Sequence, residues 1–343
     1  MTSRQINRQW LLARRPEGAV KPTDFVYNEV PLPTLGEGDV LVRTLYFGYD
    51  ASQRIWLTED GGYMPPIQLG EPMRTMGIGQ VVESQNTEYE VGDLVEGFMS
   101  WQAYVIARSD GPMPLRKLPK ASYPLSWNLS VLGVAGLAAY FGVTEVLSVT
   151  PEDTVVVSAA TGATGSLAGG IAKALGAKKV IGIAAGPEKC RWIVEKAGFD
   201  AAIDYKNESL VERLKELCPN GVSAYFDNVG GDTLDALLLH MAPQGRVLIC
   251  GAMSSGYTDV QIQGPRNYMQ ICTQMLTVKG IHLFFYRDRL EEGAAHLACL
   301  LAEGRLGVEE NVFEGFEKAP ELLPTIFSGK KPGKLLLKVG EPV

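Results

Sequence analysis

Residues 154–186 read TVVVSAATGATGSLAGGIAKALGAKKVIGIAAG, and this stretch decides the fold of the chain. Its first five residues are mostly β-branched, which is typical of a strand buried on both faces. Leu167, Ile171 and Leu175 then recur at helical spacing, and a second apolar run follows. The pattern predicts strand, glycine turn, helix and strand, which is how a doubly wound parallel sheet begins.

The glycine turn is a candidate phosphate-binding loop. Gly162, Ala163, Thr164 and Gly165 follow the first strand and open the helix. Backbone without side chains can touch a pyrophosphate there, and the helix N-terminus offers free N–H donors and a positive dipole. Gly169 is predicted to let the helix pack closely on the sheet. The alternative is a glycine turn that binds no ligand.

The end of the second strand predicts which dinucleotide binds. NAD sites usually carry an acidic residue there for the ribose 2′-hydroxyl. This strand ends in 182–186, GIAAG, without an acid, and Lys189 lies just beyond it. An ammonium near a 2′-phosphate favours NADP(H) over NAD(H). The alternative for Lys189 is a solvated lysine at the start of a helix.

The flanking segments predict a second, β-rich domain. Residues 1 to about 120 contain short apolar runs separated by turn clusters, which suggest a barrel or a distorted sheet. Alternating strands and helices continue beyond 186, and 288–302 reads as an amphipathic helix. The strand-like KLLLKV near the end is expected to return to the first domain. We therefore expect a β-rich domain of residues 1–124 with 313–343 and a dinucleotide-binding domain of 125–312.

Composition excludes several function classes. The 343 residues carry a net charge of −7, so no basic footprint indicates nucleic acid or a membrane surface. No apolar stretch is long enough to span a bilayer, and the first residues lack the pattern of a secretory signal. The cysteines are odd in number and unclustered, which predicts reduced thiols in a cytoplasmic protein; they are Cys190, Cys218, Cys250, Cys272 and Cys299.

Zinc is not expected. Zinc-dependent dehydrogenases of two such domains need a thiolate and an imidazole in the first domain. Here no cysteine precedes Cys190 and no histidine precedes His240. His240, in the predicted helix DALLLHMA, and His296 are interpreted as packed or exposed helix residues. His282 is predicted to lie in a strand beside the cofactor crevice, with any contact made through its backbone.

Without a metal, hydrogen-bond donors must stabilise the charge that a hydride transfer leaves on the substrate. An isolated carbonyl would become an alkoxide, which is difficult to stabilise without a cation. An enone that receives hydride at its β-carbon becomes a delocalised enolate. A tyrosine or ribose hydroxyl can stabilise an enolate in the manner of an oxyanion hole. The sequence therefore favours conjugate reduction over alcohol oxidation.

Motifs along nearly the whole chain carry a family resemblance. They are 81–86 (VVESQN), 91–95 (VGDLV), 101–104 (WQAY), 132–142 (LGVAGLAAYFG), 159–165 (AATGATG), 184–189 (AAGPEK), 204–206 (DYK) and 226–231 (FDNVGG). On these motifs the chain resembles the zinc-independent medium-chain dehydrogenase/reductases. Within them it is similar to the prostaglandin reductase and leukotriene B4 12-hydroxydehydrogenase group, which includes curcumin reductases and 2-alkenal reductases.

The resemblance implies a Rossmann domain with a doubly wound parallel sheet, a β-rich GroES-like barrel domain, NADP(H) as cofactor and a homodimer. It implies that Lys189 and Tyr205 meet the adenosine 2′-phosphate. It also implies contacts with the nicotinamide half from residues that follow two later strands and from a third strand, 281–283; they are Asn228, Cys250, Gly251, Ala252, Met253, Ser254, Ile281, His282 and Leu283.

One tyrosine matches a residue that the family places near the nicotinamide ribose and the substrate carbonyl. That residue is Tyr268, whose neutral phenol is a suitable donor to an enolate. The alternative is that Tyr268 only shapes the pocket. Tyr49, Trp101 and Tyr257 are candidate pocket-wall residues, with buried aromatic surface as the alternative for each.

Three positions depart from the family pattern. Ser52 stands where the family usually has a tyrosine, so the pocket shape differs. Ala138 replaces a usual threonine, and Lys331 stands where the family has an asparagine that touches the cofactor.

The function predicted is NADPH-dependent reduction of the C=C bond of a small α,β-unsaturated ketone or aldehyde. A quinone reductase or a hydroxy/keto dehydrogenase of the same superfamily, and a non-catalytic NADPH-binding protein, remain the alternatives.

Overall fold

A computed structural model describes residues 6–32, 34–108, 115–258, 264–329 and 331–342 of the chain. Within these ranges the backbone forms a two-stranded hairpin, a seven-stranded mixed sheet and a six-stranded parallel sheet. No helix in the described ranges is long and apolar enough to cross a membrane.

The first part of the chain is β-rich, as its turn-separated apolar runs predict. Its strands are β1 (Ile6–Leu12), β2 (Phe25–Pro31), β3 (Asp39–Tyr49), β4 (Met76–Ser84), β5 (Leu94–Phe98), β6 (Tyr104–Arg108) and β7 (Arg116–Lys117). The long strand β3 pairs antiparallel with β4 along one edge. Its other edge is shared, because its first residues pair with β6 and its last with the C-terminal strand. This shared edge distorts the sheet.

The central part forms the predicted parallel sheet. Its strands are β8 (Thr154–Ser158), β9 (Lys179–Ala184), β10 (Ala201–Asp204), β11 (Val222–Asp227), β12 (Met241–Ile249) and β13 (Thr277–Gly280). They lie in the order β10-β9-β8-β11-β12-β13, and every pair is parallel. The predicted doubly wound α/β sheet is therefore confirmed. The strand order reverses between β8 and β11, and ligands of such sheets bind at this switch point.

Helices cover both faces of this sheet and one end of the mixed sheet. They are α1 (Val134–Phe141), α2 (Ala163–Ala174), α3 (Pro187–Glu195), α4 (Leu210–Leu217), α5 (Gly231–Leu238), α6 (Met269–Thr273), α7 (Leu290–Ala302) and α8 (Ala319–Ser328). Separate apolar cores fill the two faces of the parallel sheet and the interior of the β domain.

Gly169 of α2 packs directly against an aromatic ring. A Cβ built on Gly169 would lie 1.8 Å from Cζ of Phe199, which precedes β10. Phe199 is buried, so α2 approaches the sheet through this ring. The close helix–sheet approach predicted at Gly169 is present. The group that leaves no room for a Cβ at this position is the side chain of Phe199.

The end of the chain returns to the β domain. β14 (Glu310–Glu314) pairs parallel with β15 (Lys334–Lys338), and β15 pairs antiparallel with β3. β14 begins before residue 313, so the domain boundaries given above stay a prediction.

Two local predictions are wrong. Strand β13 ends at Gly280, so Ile281, His282 and Leu283 lie beyond it, and a short 3-10 helix begins at Leu283. Helix α5 ends at Leu238, so His240 lies in the turn before β12 rather than in a helix. In both places an apolar run continues past the end of the regular element, so periodicity alone places the end too late.

Candidate active site

A cleft of about 2330 Å³ lies between the two domains. Both the mixed sheet and the carboxyl ends of the parallel strands contribute to its walls, as expected at a switch point. Most residues predicted from the sequence line it; they are Tyr49, Gly162, Ala163, Thr164, Gly165, Lys189, Tyr205, Asn228, Cys250, Gly251, Ala252, Met253, Ser254, Tyr257, Ile281, His282 and Leu283. Trp101 and Tyr268 do not line it.

The glycine turn forms one wall of the cleft. Gly162 caps α2, and the first amides of a helix have no partners within it. A Cβ on Gly165 would lie 2.4 Å from the carbonyl oxygen of Ala159. Ala159 itself has a left-handed backbone, with φ of 48°. Glycine at 165 therefore lets the start of α2 approach the backbone of Ala159 closely. The free amides of the first helical turn suit a phosphate group.

The tip of β9 carries positive charge. Ala184 ends the strand, and the amide of Tyr205 donates to its carbonyl, 3.1 Å away. Lys189 of α3 reaches the same corner, where its ammonium lies 3.1 Å from the position a Cβ on Gly329 would take. Burial, and secondly the charge of Lys206, lowers the pKa of Lys189. A bound anion would relieve this repulsion.

A carboxylate beside this corner is already engaged. Asp204, at the end of β10, accepts hydrogen bonds from the amide of Gly186 at 2.7 Å and from Nδ2 of Asn207 at 2.7 Å. These donors, led by Asn207, lower the pKa of Asp204. Its charge shapes the turn after β9.

The opposite end of the cleft is built on the turns after β11 and β12. The side-chain amide of Asn228 donates to the carbonyl of Ser158 over 2.8 Å, which ties β11 to the end of β8. Ser254 donates to the carbonyl of Val229 over 2.6 Å, which ties the turn after β12 to the turn after β11. These bonds fix backbone around the place where the resemblance puts nicotinamide.

Two tyrosines face the cleft from different domains. Tyr257 has a left-handed backbone (φ 52°), and its hydroxyl oxygen accepts a hydrogen bond from the amide of Ala252 over 2.9 Å. Tyr63 comes from the β domain, and its ring centroid lies 4.9 Å from that of His282. Burial raises the pKa of both phenols, so both stay protonated at neutral pH. Each can therefore donate a hydrogen bond into the cleft.

Tyr63 was not singled out by the sequence analysis. The sequence feature that could have pointed to it is Ser52, which lines the same wall of the cleft. Burial raises the pKa of the Tyr63 phenol, and a side-chain hydrogen bond with Ser52 partly offsets that rise.

Of three aromatic residues predicted to face the cleft, the structure places two elsewhere and leaves one at its wall. Trp101 is 0% exposed and packs on Phe25 and Tyr49, so it belongs to the core of the β domain and is not a pocket wall. Tyr49 touches the cleft, but its hydroxyl donates to the carbonyl of Ala319 over 3.0 Å. Tyr268 is 61% exposed at the start of α6, so the structure does not bring its phenol to the cleft.

Two lysines near the C-terminus also line the cleft. The ammonium of Lys331 lies 5.0 Å from the ring centroid of Phe313, in a cation–π contact. Lys334 is buried and forms an ion pair with Asp50. The adjacent Gly333 donates its amide to the carbonyl of Thr161 over 2.8 Å, which joins β15 to the glycine turn.

No group of three or more histidine, cysteine, aspartate or glutamate side chains in the described part of the chain could hold a metal ion.

Comparison with known proteins identifies the family. Residues 8–115 match the family described as N-terminal domain of oxidoreductase, and 163–298 match the family described as zinc-binding dehydrogenase. The chain is 34% identical to NADPH-dependent curcumin reductase of Escherichia coli strain K12, over 98% of each chain. The chain belongs to the medium-chain dehydrogenase/reductase family.

Other members of this medium-chain family are similar along their whole length. Prostaglandin reductase 1 of Mus musculus is 35% identical, over 96% of this chain and 98% of that protein. The crystal structure of CurA from Vibrio vulnificus in complex with NADPH is 34% identical, covers 98% of this chain and 100% of its own, and superposes with a TM-score of 0.90. The family resemblance found in the motifs is therefore confirmed.

Proposed function

We propose that this chain is an NADPH-dependent reductase of the C=C bond in α,β-unsaturated ketones and aldehydes. The observation that carries the proposal is the shape of the cleft, with a glycine turn and a lysine corner at one end and protonated phenols at the other. The names of the similar proteins, a curcumin reductase, a 2-alkenal reductase and a prostaglandin reductase, support the same reaction class.

The chain's own residues would bind the cofactor at three places. The amides of Gly162 to Gly165 would hold the pyrophosphate, and Lys189 with Tyr205 would hold the 2′-phosphate. The turns around Asn228 and Ser254 would hold the nicotinamide half. NADPH, when bound, supplies the hydride. The walls of both domains would keep the enone against it, and that proximity contributes much of the rate.

The geometry favours Tyr257 as the donor to the enolate. Its oxygen already accepts from the amide of Ala252, which leaves its own O–H free to donate. The amide also polarises the phenol toward donation. A hydroxyl held this way stabilises an oxyanion without further reorganisation, and solvent can then protonate the α-carbon.

Replacement of this hydroxyl tests the assignment. We expect Tyr257→Phe to lower kcat on an enone by about 100-fold, the usual cost of one oxyanion donor, with little change in the dissociation constant for NADPH. Tyr268→Phe is the matched comparison, because its phenol is exposed. A large loss in Tyr268→Phe with full activity in Tyr257→Phe would return the role to Tyr268.

The proposed reaction is tested by a panel of acceptors. NADPH consumption is measured with an enone, an alkenal, a quinone and, in reverse, a secondary alcohol with NADP⁺, and the series is repeated with NADH. Turnover restricted to the first two with NADPH supports the proposal. Turnover on the quinone or the alcohol alone, or tight NADPH binding without turnover, would contradict it.

We further propose a homodimer through the edge of the parallel sheet. The edge strand β13 is exposed along its whole length. The surrounding segment 268–285 exposes an unusual number of large apolar side chains; they are Tyr268, Met269, Met275, Val278, Phe284 and Phe285. An unpaired edge with apolar neighbours is suited to a second copy.

The dimer has a direct test. We expect Val278→Glu to convert the protein to monomers in sedimentation velocity, because it places a charge at the centre of the edge. Val91→Glu, at an exposed turn far from this edge, is the control. A wild-type monomer at micromolar concentration would exclude the proposal. The domain boundaries and a cytoplasmic location stay predictions.

A further inference from the structure

Asp227 is a buried carboxylate at the floor of the candidate active site. It ends β11, one residue before Asn228, and its side chain is 0% exposed. It lies at the switch point between β8 and β11, directly behind the backbone that forms the cleft wall. No step of the proposed reaction uses it.

One oxygen of this carboxylate carries all of its hydrogen bonds. Oδ1 accepts from the hydroxyls of Tyr225 at 2.7 Å and Ser158 at 3.1 Å. It also accepts from the amides of Val229 and Gly230, each at 2.9 Å. Oδ2 is buried and has no hydrogen-bond partner in the described ranges. No cation of the described residues forms an ion pair with it, so its negative charge is only partly compensated.

The charge of Asp227 reaches the cleft wall. The carbonyl of Asp227 accepts from the amides of Cys250 and Gly251, at 2.8 and 3.1 Å, and both residues line the cleft. Burial, and secondly the charge of Asp227, raises the pKa of the Cys250 thiol to about 12. The Asp227 carboxylate is fully buried, so little water screens its charge and it acts at a distance.

We propose that the Asp227 carboxylate stabilises the oxidised form of the bound cofactor relative to the reduced form. The nicotinamide ring is neutral in NADPH and positively charged in NADP⁺, so a nearby buried anion favours NADP⁺. Such a field makes the bound cofactor a stronger hydride donor. This inference rests on the proposed function in one respect, that the nicotinamide half lies at this end of the cleft.

The ratio of two dissociation constants tests the inference without any turnover. Titration calorimetry gives the dissociation constants of NADP⁺ and NADPH for the wild type and for Asp227→Asn, which keeps Oδ1 as an acceptor but removes the charge. We expect the ratio of the NADP⁺ constant to the NADPH constant to rise about tenfold in Asp227→Asn, the size of effect for one buried charge at moderate distance.

A second variant has the opposite expected sign. Tyr225→Phe removes a hydroxyl whose dipole offsets part of the charge, so the carboxylate should favour NADP⁺ more strongly. We expect the same ratio to fall by about two- to threefold. This variant decides the question alone if Asp227→Asn does not fold.

Asp153→Asn is the control, because Asp153 is a buried carboxylate just before β8, at the other end of that strand from the cleft, and it is paired with Arg246. Its substitution should leave the ratio unchanged. If both cofactor forms lose affinity in parallel in Asp227→Asn and Tyr225→Phe, Asp227 is only structural and the inference is wrong. If the wild type binds neither form, the proposed function fails as well.

Discussion

Lys189→Ala is expected to abolish most of the preference for NADPH over NADH. The Lys189 ammonium is partly buried at the corner formed by Tyr205 and Gly329. A charge-assisted contact with a 2′-phosphate contributes about 2 to 3 kcal/mol. Its loss should raise the KM for NADPH by roughly 30- to 150-fold, since about 1.4 kcal/mol is tenfold. The kcat should change little, because this corner is at the far end of the cleft from the phenols.

The comparison with NADH tests whether the effect of Lys189→Ala is specific to the 2′-phosphate. NADH has no 2′-phosphate, so its KM should be the same in the wild type and in Lys189→Ala. Lys196→Ala removes an exposed lysine at the end of the same helix and controls for lost charge and for helix stability. Equal losses with NADPH and NADH would contradict the assignment. Steady-state kinetics with both cofactors decides between these outcomes.

The sequence predicts the nucleotide half of this structure well because its signals are local. The β-branched run of β8, the glycine turn and the helix that follows are contiguous, and each residue is interpreted from its neighbours. Lys189 could be placed for the same reason, since it lies a few residues beyond β9. The return of β15 to β3 could also be expected, because an apolar strand near the end of a chain must find a sheet.

The substrate end of the cleft was harder to predict because it is built from contacts distant in sequence. Tyr63 and His282 meet across the two domains, and no spacing rule connects residues so far apart. Trp101 illustrates the opposite error, a residue predicted to line the pocket that does not. The residues around it in the sequence do not reveal that its ring packs against Phe25 and Tyr49. Local patterns identify residue types, whereas packing decides which of them face the ligand.

Asp227 is a further example of information that only the fold contains. An aspartate before an asparagine and two glycines suggests a turn, and the turn is present. One of the four donors to its Oδ1, the hydroxyl of Ser158, comes from β8, so this contact depends on β8 and β11 being neighbours. The other three donors lie within three residues of Asp227. A buried polar group is identified by what surrounds it, so its role became visible only with the sheet order.

Gly169→Ala is expected to destabilise the protein through steric overlap between α2 and the sheet. The new Cβ would lie 1.8 Å from Cζ of Phe199 and 2.4 Å from two further ring carbons, so either the ring or the helix must move. Overpacking of this kind costs about 1 to 3 kcal/mol. The gain in helix propensity from glycine to alanine, about 1 kcal/mol, offsets only part of it. Because the overlap with a buried ring is severe, we place the cost at the upper end of that range and expect a net loss of about 2 kcal/mol in the free energy of unfolding, measured by urea denaturation.

The adjacent glycine is a control within the same helix. A Cβ on Gly170 would meet only the terminal Cδ1 of Leu306, at 2.7 Å, and a flexible leucine can move. Gly170→Ala should therefore be neutral or stabilising, because the propensity gain remains. The opposite signs at neighbouring positions would separate steric overlap from any general effect of alanine in α2.

A double mutant identifies the neighbour responsible. Phe199→Leu removes the ring that occupies the space at Gly169 and by itself costs about 1 kcal/mol or more through the cavity it leaves. If the ring is the cause, Gly169→Ala should be far less costly in the Phe199→Leu background than in the wild type, giving a coupling energy above about 1 kcal/mol. Additive losses would mean that the helix meets the sheet elsewhere. Because α2 also presents the glycine turn to the cleft, the same series should show NADPH affinity falling with stability in Gly169→Ala and recovering in the double mutant.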